Sequence, residues 1–384
     1  MNQRASVVII GAGIIGASIA YHLTERGCRD IVMLEQAETE ITGSTARSAA
    51  GVRHQFSTEV NIRLSQYGVA RIRAFAAEVG VDPGFQAIGY CFLVSDPANW
   101  AAYQRAAALQ RHLGVPTELL DPGDIARLIP GVATDDLLGA TYCAADGHCD
   151  PHSVALGYLT RARERGMRLW RATPATGLGT VGGAVQAVHT PAGTISCDVV
   201  INAAGSWAGE VAALAGLDVP VRPFRRCIYV ADPPAELSGR LPLTIDVASG
   251  FYLRPEGGQL IFGMSNHAEP SSHALHVDWD WLATVLDAGL ARFPPLERAR
   301  LHDDRCWAGS YEITPDHNPI LGRHPALAGY IDASGFSGHG ISHAPATGML
   351  IAEELLDGRA HTIDIDPLRI TRFADGGSDE THIV

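Results

Sequence analysis

Residues 6–10 form an unbroken apolar run that stops at a cluster of glycines, and from Ile14 to residue 26 apolar positions recur at helical spacing. A second apolar run at 31–34 completes a strand, turn, helix, strand unit. Helical periodicity returns over 60–79, an Ala-, Arg- and Leu-rich stretch, and a strand is predicted at 88–94 between Gly89 and Asp96. A helix is predicted over 151–165. Short strands follow at 169–170, 184–189 and 199–201, separated by turns such as 180–183, and the chain there returns to its first domain. Between 220 and 262 the strand-like runs 227–230, 251–253 and 260–262 lie among turn clusters and predict an antiparallel sheet, hence a second domain. Residues 279–291 read as a helix of that domain. Residues 340–356 read as a long apolar helix with Ser337, Gly338 and Gly340 at its start, and 374–384 as a polar, disordered tail. The fold class expected is α/β (α+β).

Composition narrows the function. The chain has 384 residues, 46% of them hydrophobic, enough to bury two intertwined domains. No apolar run reaches the roughly 18 residues of a membrane span, and the first strand begins too early for a cleavable signal, so the cytoplasm is expected. Seven cysteines lie scattered without CxxC or zinc-ligand spacing, which suits buried thiols in a reducing compartment and suggests no metal site. A formal charge of −13 argues against nucleic acid as a partner.

The chemistry starts at the first turn. Gly11, Gly13 and Gly16 stand directly after the first strand, where glycine serves a tight turn, close approach to a pyrophosphate and close helix packing. The backbone amides at Ile14 and Ile15 open the helix and favour diphosphate charge, while Glu35, with Gln36 beside it, ends the second strand where a carboxylate can accept from ribose hydroxyls. A carboxylate there disfavours a 2′-phosphate. Residues 43–51 are small, with Ser44, Thr45, Arg47, Ser48, Ala50 and Gly51 as candidate contacts, and such a segment lets a flavin lie close to backbone, a need that an NAD dehydrogenase lacks. FAD is therefore the expected dinucleotide.

With these features the chain resembles the amine-oxidising flavoprotein family that includes D-amino acid oxidase, glycine oxidase, sarcosine oxidase, dimethylglycine dehydrogenase and bacterial proline dehydrogenases. The resemblance runs nearly end to end, through GAGIIGASIAYHL (11–23), GSTARSAAGVR (43–53), DGHCDPHSVALGY (146–158), NAAGSWA (202–208), WAGSYEITPDHNPILG (307–322) and ASGFSGHGISHAP (333–345). It implies an FAD-binding domain of Rossmann type from 1–85, 146–220 and 306–373, interleaved with a substrate domain from 86–145 and 221–305. It adds Ala203, Gly205, Trp207, Gly309, Gly335, Phe336, Ser337, Gly338, His339, Gly340 and Ile341 to the FAD contacts. The positive end of the 340–356 helix would then face the flavin pyrimidine edge, where negative charge develops on reduction. Departures matter too. Family members that bind FAD covalently carry histidine where this chain has Arg47 or cysteine where it has Gly309, so non-covalent FAD is implied; Pro151 stands where a relative's histidine carries FMN. The substrate-binding arginine of a GLRP segment is absent from 309–312, where Tyr311 stands instead.

The substrate implied is a small amino acid or a secondary or N-substituted amine, such as sarcosine or proline. It would be oxidised at its C–N bond by hydride transfer to give an imine that hydrolyses. Arg53 is the candidate carboxylate anchor, since RHQF (53–56) resembles a stretch of monomeric sarcosine oxidase. His54, His339 and His343 are candidates for taking the ammonium proton, and Tyr252 and Tyr311 for covering the substrate. The oxygen-activating lysine of that oxidase aligns with Ile261, which favours an electron acceptor other than oxygen. Two alternatives stay open at this point: an NAD-dependent dehydrogenase, and a flavin-bearing subunit of a heteromeric dehydrogenase that needs partner chains; heteromeric or homo-oligomeric assembly is open as well.

Overall fold

The structure is a computed structural model that describes residues 3–374, 376–377 and 380–382. Its first sheet has six strands in the spatial order Ile320–Arg323, Tyr330–Ser334, Val199–Asn202, Val7–Ile10, Ile31–Leu34 and Arg168–Trp170. All neighbours are parallel except the first pair. The central strands are apolar at every position because both faces are covered. Val7 and Ile9 pack with the helices Ile14–Glu25, Pro151–Glu164 and Gly340–Leu356. Val8 and Ile10 pack with a four-stranded sheet that includes Gly177–Val181 and Ala184–Thr190. The predicted βαβ unit is thus the centre of the fold.

A second, nine-stranded sheet follows the order Arg300–Leu301, Arg222–Asp232, Gln259–Gly263, Tyr252–Glu256, Leu243–Asp246, Tyr90–Val94, Gly139–Cys143 and Glu118–Leu120, with Trp307–Ile313 also paired to Arg222–Asp232. It is mixed, since Leu243–Asp246 runs parallel to Tyr90–Val94. Its apolar face carries Tyr229, Phe251, Leu253 and Phe262 and packs with the helix Trp279–Arg292.

Several elements differ from the reading of the sequence. Arg222–Asp232 is eleven residues long, not the four of 227–230, because backbone pairing to Trp307–Ile313 carries the strand through arginines that break the apolar run. That pairing also puts 307–313 in the nine-stranded sheet, although 306–373 was expected with the first domain. Helices Pro97–His112, Pro122–Leu128 and Ala208–Ala213 were not foreseen; Pro97–His112 buries only four residues and so shows little periodicity.

The tail expected at 374–384 is corrected where it is described. Glu380 and His382 are buried. The Glu380 carboxylate accepts from the backbone and hydroxyl of Ser57 at 2.8 and 2.6 Å and from Asn61 Nδ2 at 3.0 Å, at the positive end of the helix Glu59–Glu78. The His382 ring stacks on Tyr103 at 4.0 Å. The rest of that expectation, at Asp375, Ser378, Asp379, Ile383 and Val384, lies outside the described residues. Among the described residues no helix is long and apolar enough to cross a membrane.

Two glycines bring the helices together. A Cβ on Gly348 would lie 2.2 Å from Ser18 Oγ, and one on Gly68 only 1.7 Å from the Ser342 carbonyl oxygen. Gly68 sits inside Glu59–Glu78, where alanine would otherwise be the better helix former. Gly68→Ala is therefore expected to lower stability by about 1–3 kcal/mol through overpacking. Gly239→Ala, whose Cβ would meet nothing within 4 Å, should leave the thermal midpoint nearly unchanged. Equal midpoints for the two variants would refute this packing argument.

Candidate active site

One cavity of about 790 Å³ runs between the two sheets. Its floor begins at the first turn. Gly11 adopts φ +108°, and a Cβ there would lie 2.3 Å from the Ala203 carbonyl oxygen, so the turn admits glycine alone. A Cβ on Gly16 would strike the Gly11 carbonyl oxygen at 2.1 Å, which makes Gly16 a packing glycine that does not line the cavity. Gly13 differs, because its Cβ would meet only Thr45 Oγ1 at 3.3 Å and its backbone faces open space. The Gly13 N-cap has no side-chain cap; in the first turn, the Ile14 amide donates to Thr45 Oγ1 at 3.1 Å. Glu35 is held rigidly, its carboxylate accepting from the Ala12 and Ala37 amides at 3.1 and 2.9 Å.

A second helix N-terminus reaches the same cavity. Gly338, Gly340 and Ile341 line it, and the N-cap, His339, makes no side-chain capping bond. A Cβ on Gly338 would be 2.3 Å from the Tyr311 ring, so that tyrosine lies hard against the helix start. Three non-glycine residues around this space, Ile41, Ala50 and Ser337, hold positive φ values of 65°, 62° and 48°. Such strain persists only where the surroundings enforce it, and it concentrates at functional sites.

Most of the expected contacts converge here. Ile14, Ile15, Glu35, Gln36, Ser44, Thr45, Arg47, Ser48, Ala203, Gly205, Trp207, Gly309, Phe336, Tyr252 and Tyr311 all line the cavity. Ala50, Gly51, Gly335 and Ser337 stand behind its wall, with Gly335 donating to Glu312 at 3.1 Å. No cysteine or histidine is among the described lining residues.

Four expected catalytic residues are placed elsewhere. Arg53 is buried, with one Nη donating to the Gln55 carbonyl and the other to the His382 carbonyl, and its guanidinium lies 3.9 Å from the centre of the Phe56 ring. Backbone oxygens therefore occupy both of its terminal nitrogens. His54 Nδ1 is 2.6 Å from Asp146 Oδ1, outside the cavity. His54, Cys143 and Asp146 bring ligand atoms within 4.8 Å of one another, a grouping that the cysteine spacing did not reveal, although Asp146 also accepts from the His54 amide and Gln55 Nε2. His339 and His343 are fully enclosed beside Phe56, at ring distances of 5.2 and 4.9 Å. Burial holds the His339 pKa well below its usual value and pulls that of His343 down to about 3, so both are neutral rings without a cavity face.

Other lining groups were not foreseen. Glu312 is buried, and desolvation, opposed by hydrogen bonds from the Gly335 and Phe336 amides, raises its pKa to about 7. Ser206 donates to Ser310 at 2.8 Å. Arg226 and Ile228 enter from the second sheet. The run Phe224, Arg225, Arg226, Cys227, Ile228 does not alternate between polar and apolar, so the sequence pattern did not mark these residues. Ile261, where a lysine was sought, is buried against Ile228 and Val230 behind the cavity and does not line it.

A sequence profile described as FAD dependent oxidoreductase matches residues 6–354. The FAD-dependent oxidoreductase domain-containing protein 1 of Xenopus laevis is 31% identical, covering 97% of this chain and 83% of that one. Mitochondrial dimethylglycine dehydrogenase of Rattus norvegicus is 30% identical over 97% of this chain, which spans only 45% of that protein. The crystal structure of L-proline dehydrogenase from P. horikoshii superposes with a TM-score of 0.90 at 29% identity, covering 98% of this chain and 100% of that one.

The Glu312 carboxyl sets a pH dependence whose sign is fixed. Between its ordinary value of 4.5 and about 7 the folded chain holds the proton more tightly than the unfolded chain, so stability is lost as pH rises through that window. Glutamine mimics the protonated acid. The thermal midpoint of Glu312→Gln minus that of the wild type should therefore rise from about pH 5 to about pH 8. A difference that stays flat over this range would show that Glu312 titrates normally.

Proposed function

Because the chain belongs to the FAD-dependent oxidoreductase family whose profile spans residues 6–354, we propose that it oxidises the C–N bond of a small amino acid or N-substituted amine. The observation that carries this reading is the single cavity joining Glu35 and the start of the Ile14–Glu25 helix to Tyr252 and Tyr311 on the second sheet. FAD held here would supply the two-electron acceptor for the hydride on the carbon next to nitrogen, so that the substrate would leave as an imine, with one proton lost from nitrogen, or as an iminium from a tertiary amine, for water to hydrolyse.

The residues fit this cofactor. Gly11 and Gly13 keep the backbone open to a diphosphate, and the amides of Gly13 and Ile15, with the Thr45 hydroxyl that accepts from the Ile14 amide, supply its donors. Glu35, braced by two amides, accepts from ribose hydroxyls. The Gly340–Leu356 helix aims its positive end into the cavity from the other side, where it stabilises negative charge that develops on reduction. With no cysteine or histidine among the described lining residues, we read the attachment as non-covalent. The family sets aside the NAD-dependent alternative.

Tyr252 and Tyr311, both buried enough that their hydroxyls stay protonated, offer hydrogen bonds and cover to a small substrate. The apolar Ile261, buried behind the lining residue Ile228, supports slow reaction with oxygen and an alternative electron acceptor. Seven unpaired cysteines support a reducing compartment, which we take to be the cytoplasm.

Anaerobic titration with sarcosine, dimethylglycine, proline and hydroxyproline is expected to bleach the flavin absorption with at least one of them. Glu35→Ala should weaken FAD binding roughly tenfold or more, through loss of charge-assisted hydrogen bonds. A purified chain that is colourless and takes up no FAD would overturn the assignment.

A further inference from the structure

Arg226 presents a cation to the cavity and makes no ion pair within 4 Å among the described residues, with the Glu269 carboxylate acting on it only from beyond that distance. Along Arg222–Asp232 side chains alternate between faces. Arg226 and Ile228 line the cavity. Arg225 turns away and is neutralised by Glu269 and Asp278 at 3.0 and 2.8 Å. Arg226 has no such pairing: Nη1 donates to the Arg225 carbonyl at 2.8 Å, and its buried Nε has no acceptor among the described residues. Its guanidinium carbon is 5.2 Å from the centre of the Tyr311 ring, and Tyr252 shares the same wall.

A guanidinium keeps its proton even when burial opposes the charge, so an unpaired one in a concave site calls for an anionic ligand. The other lining arginine, Arg47, donates to the Thr42 and Ala308 carbonyls. Arg53 is held by the Gln55 and His382 carbonyls and has no cavity face. The donors for a diphosphate stand on the six-stranded sheet side, at Gly13 and Ile15, whereas Arg226 stands on the nine-stranded sheet. A planar, fork-shaped donor beside two tyrosines matches a carboxylate.

We propose that Arg226 anchors the carboxylate of the substrate, so that this enzyme takes amino acids and N-substituted amino acids in preference to amines without a carboxyl group. The proposal rests on the amine-oxidising reading of the same cavity and names its substrate class.

The test uses the FAD-loaded protein and acetate as a probe, with acetamide as the uncharged control, binding being measured by calorimetry. Wild type should bind acetate and not acetamide. Arg226→Gln should weaken acetate binding about 100-fold, with unchanged FAD content and thermal midpoint. Arg226→Lys, which keeps the charge but not the fork, should show a smaller loss and serves if the glutamine variant does not fold. In turnover, Arg226→Gln should raise KM for a carboxylate substrate far more than it lowers kcat, while any oxidation of a carboxyl-free amine is spared. Unchanged acetate affinity in Arg226→Gln would overturn the proposal, as would loss of acetate binding in Arg53→Gln alone. Failure of every amine to bleach the flavin would instead strike the functional reading itself.

Discussion

Two helices from opposite ends of the chain begin at the same cavity, and at neither does the N-cap residue itself supply a capping side chain, although Thr45 Oγ1 accepts from the Ile14 amide. Each helix start leaves backbone amides without intrahelical acceptors, a debt that water or a ligand must meet. Ordinary proteins settle it locally with serine, threonine or aspartate, as Asp96 and Asp121 do for helices elsewhere in this chain. Glycine at 13 and histidine at 339 leave it open, and the fold keeps both termini in place through contacts that tolerate no Cβ at Gly16, Gly68, Gly338 or Gly348. The site is therefore a property of helix packing before it is a property of any reactive side chain.

That dependence explains what could be read from the sequence. Glycine spacing after an apolar strand reports a backbone need, so Gly11, Gly13, Gly16 and the start of the last helix at Gly340 were legible without a structure. Small, strained segments such as 43–51 were legible for the same reason. Side-chain roles were harder, because they depend on where a flexible group finds its partner. Arg53 shows this: the RHQF motif resembled an anchor, but its guanidinium is taken by the carbonyls of Gln55 and of His382, which comes from a segment that the sequence marked as a tail. Polar composition suggested that tail was loose, whereas the Glu380 carboxylate sits where the amides of Ser57 and Thr58 precede a helix.

The cavity also separates its charges by sheet. On the six-stranded side the fixed charges are backbone dipoles and one carboxylate, Glu35, whose lone pairs are oriented by amides. Glu312 occupies an intermediate place, desolvated enough that its pKa reaches about 7 and held only by amides. Asp332, on a core strand with both carboxylate oxygens lacking partners among the described residues, is pushed by burial up to about 8. Among the described residues neither acid has an arginine partner, and burial shifts each toward its neutral form.

On the nine-stranded side the logic reverses, and one strand shows why. Arg225 and Arg226 are neighbours in sequence and have the same chemistry, yet strand alternation sends them to opposite faces. Arg225 meets two carboxylates and becomes structural; Arg226 meets tyrosine rings and open space. A substitution at Arg225 would strand two acids, and one at Arg226 would strand none. Among the described residues Arg226 has no ion pair, and Glu269 is already engaged by Arg225, so a direct counter-charge has to arrive with the ligand. A pocket organised in this way rejects a neutral analogue by leaving its own cation unpaired, which is a stronger discrimination than shape alone can supply.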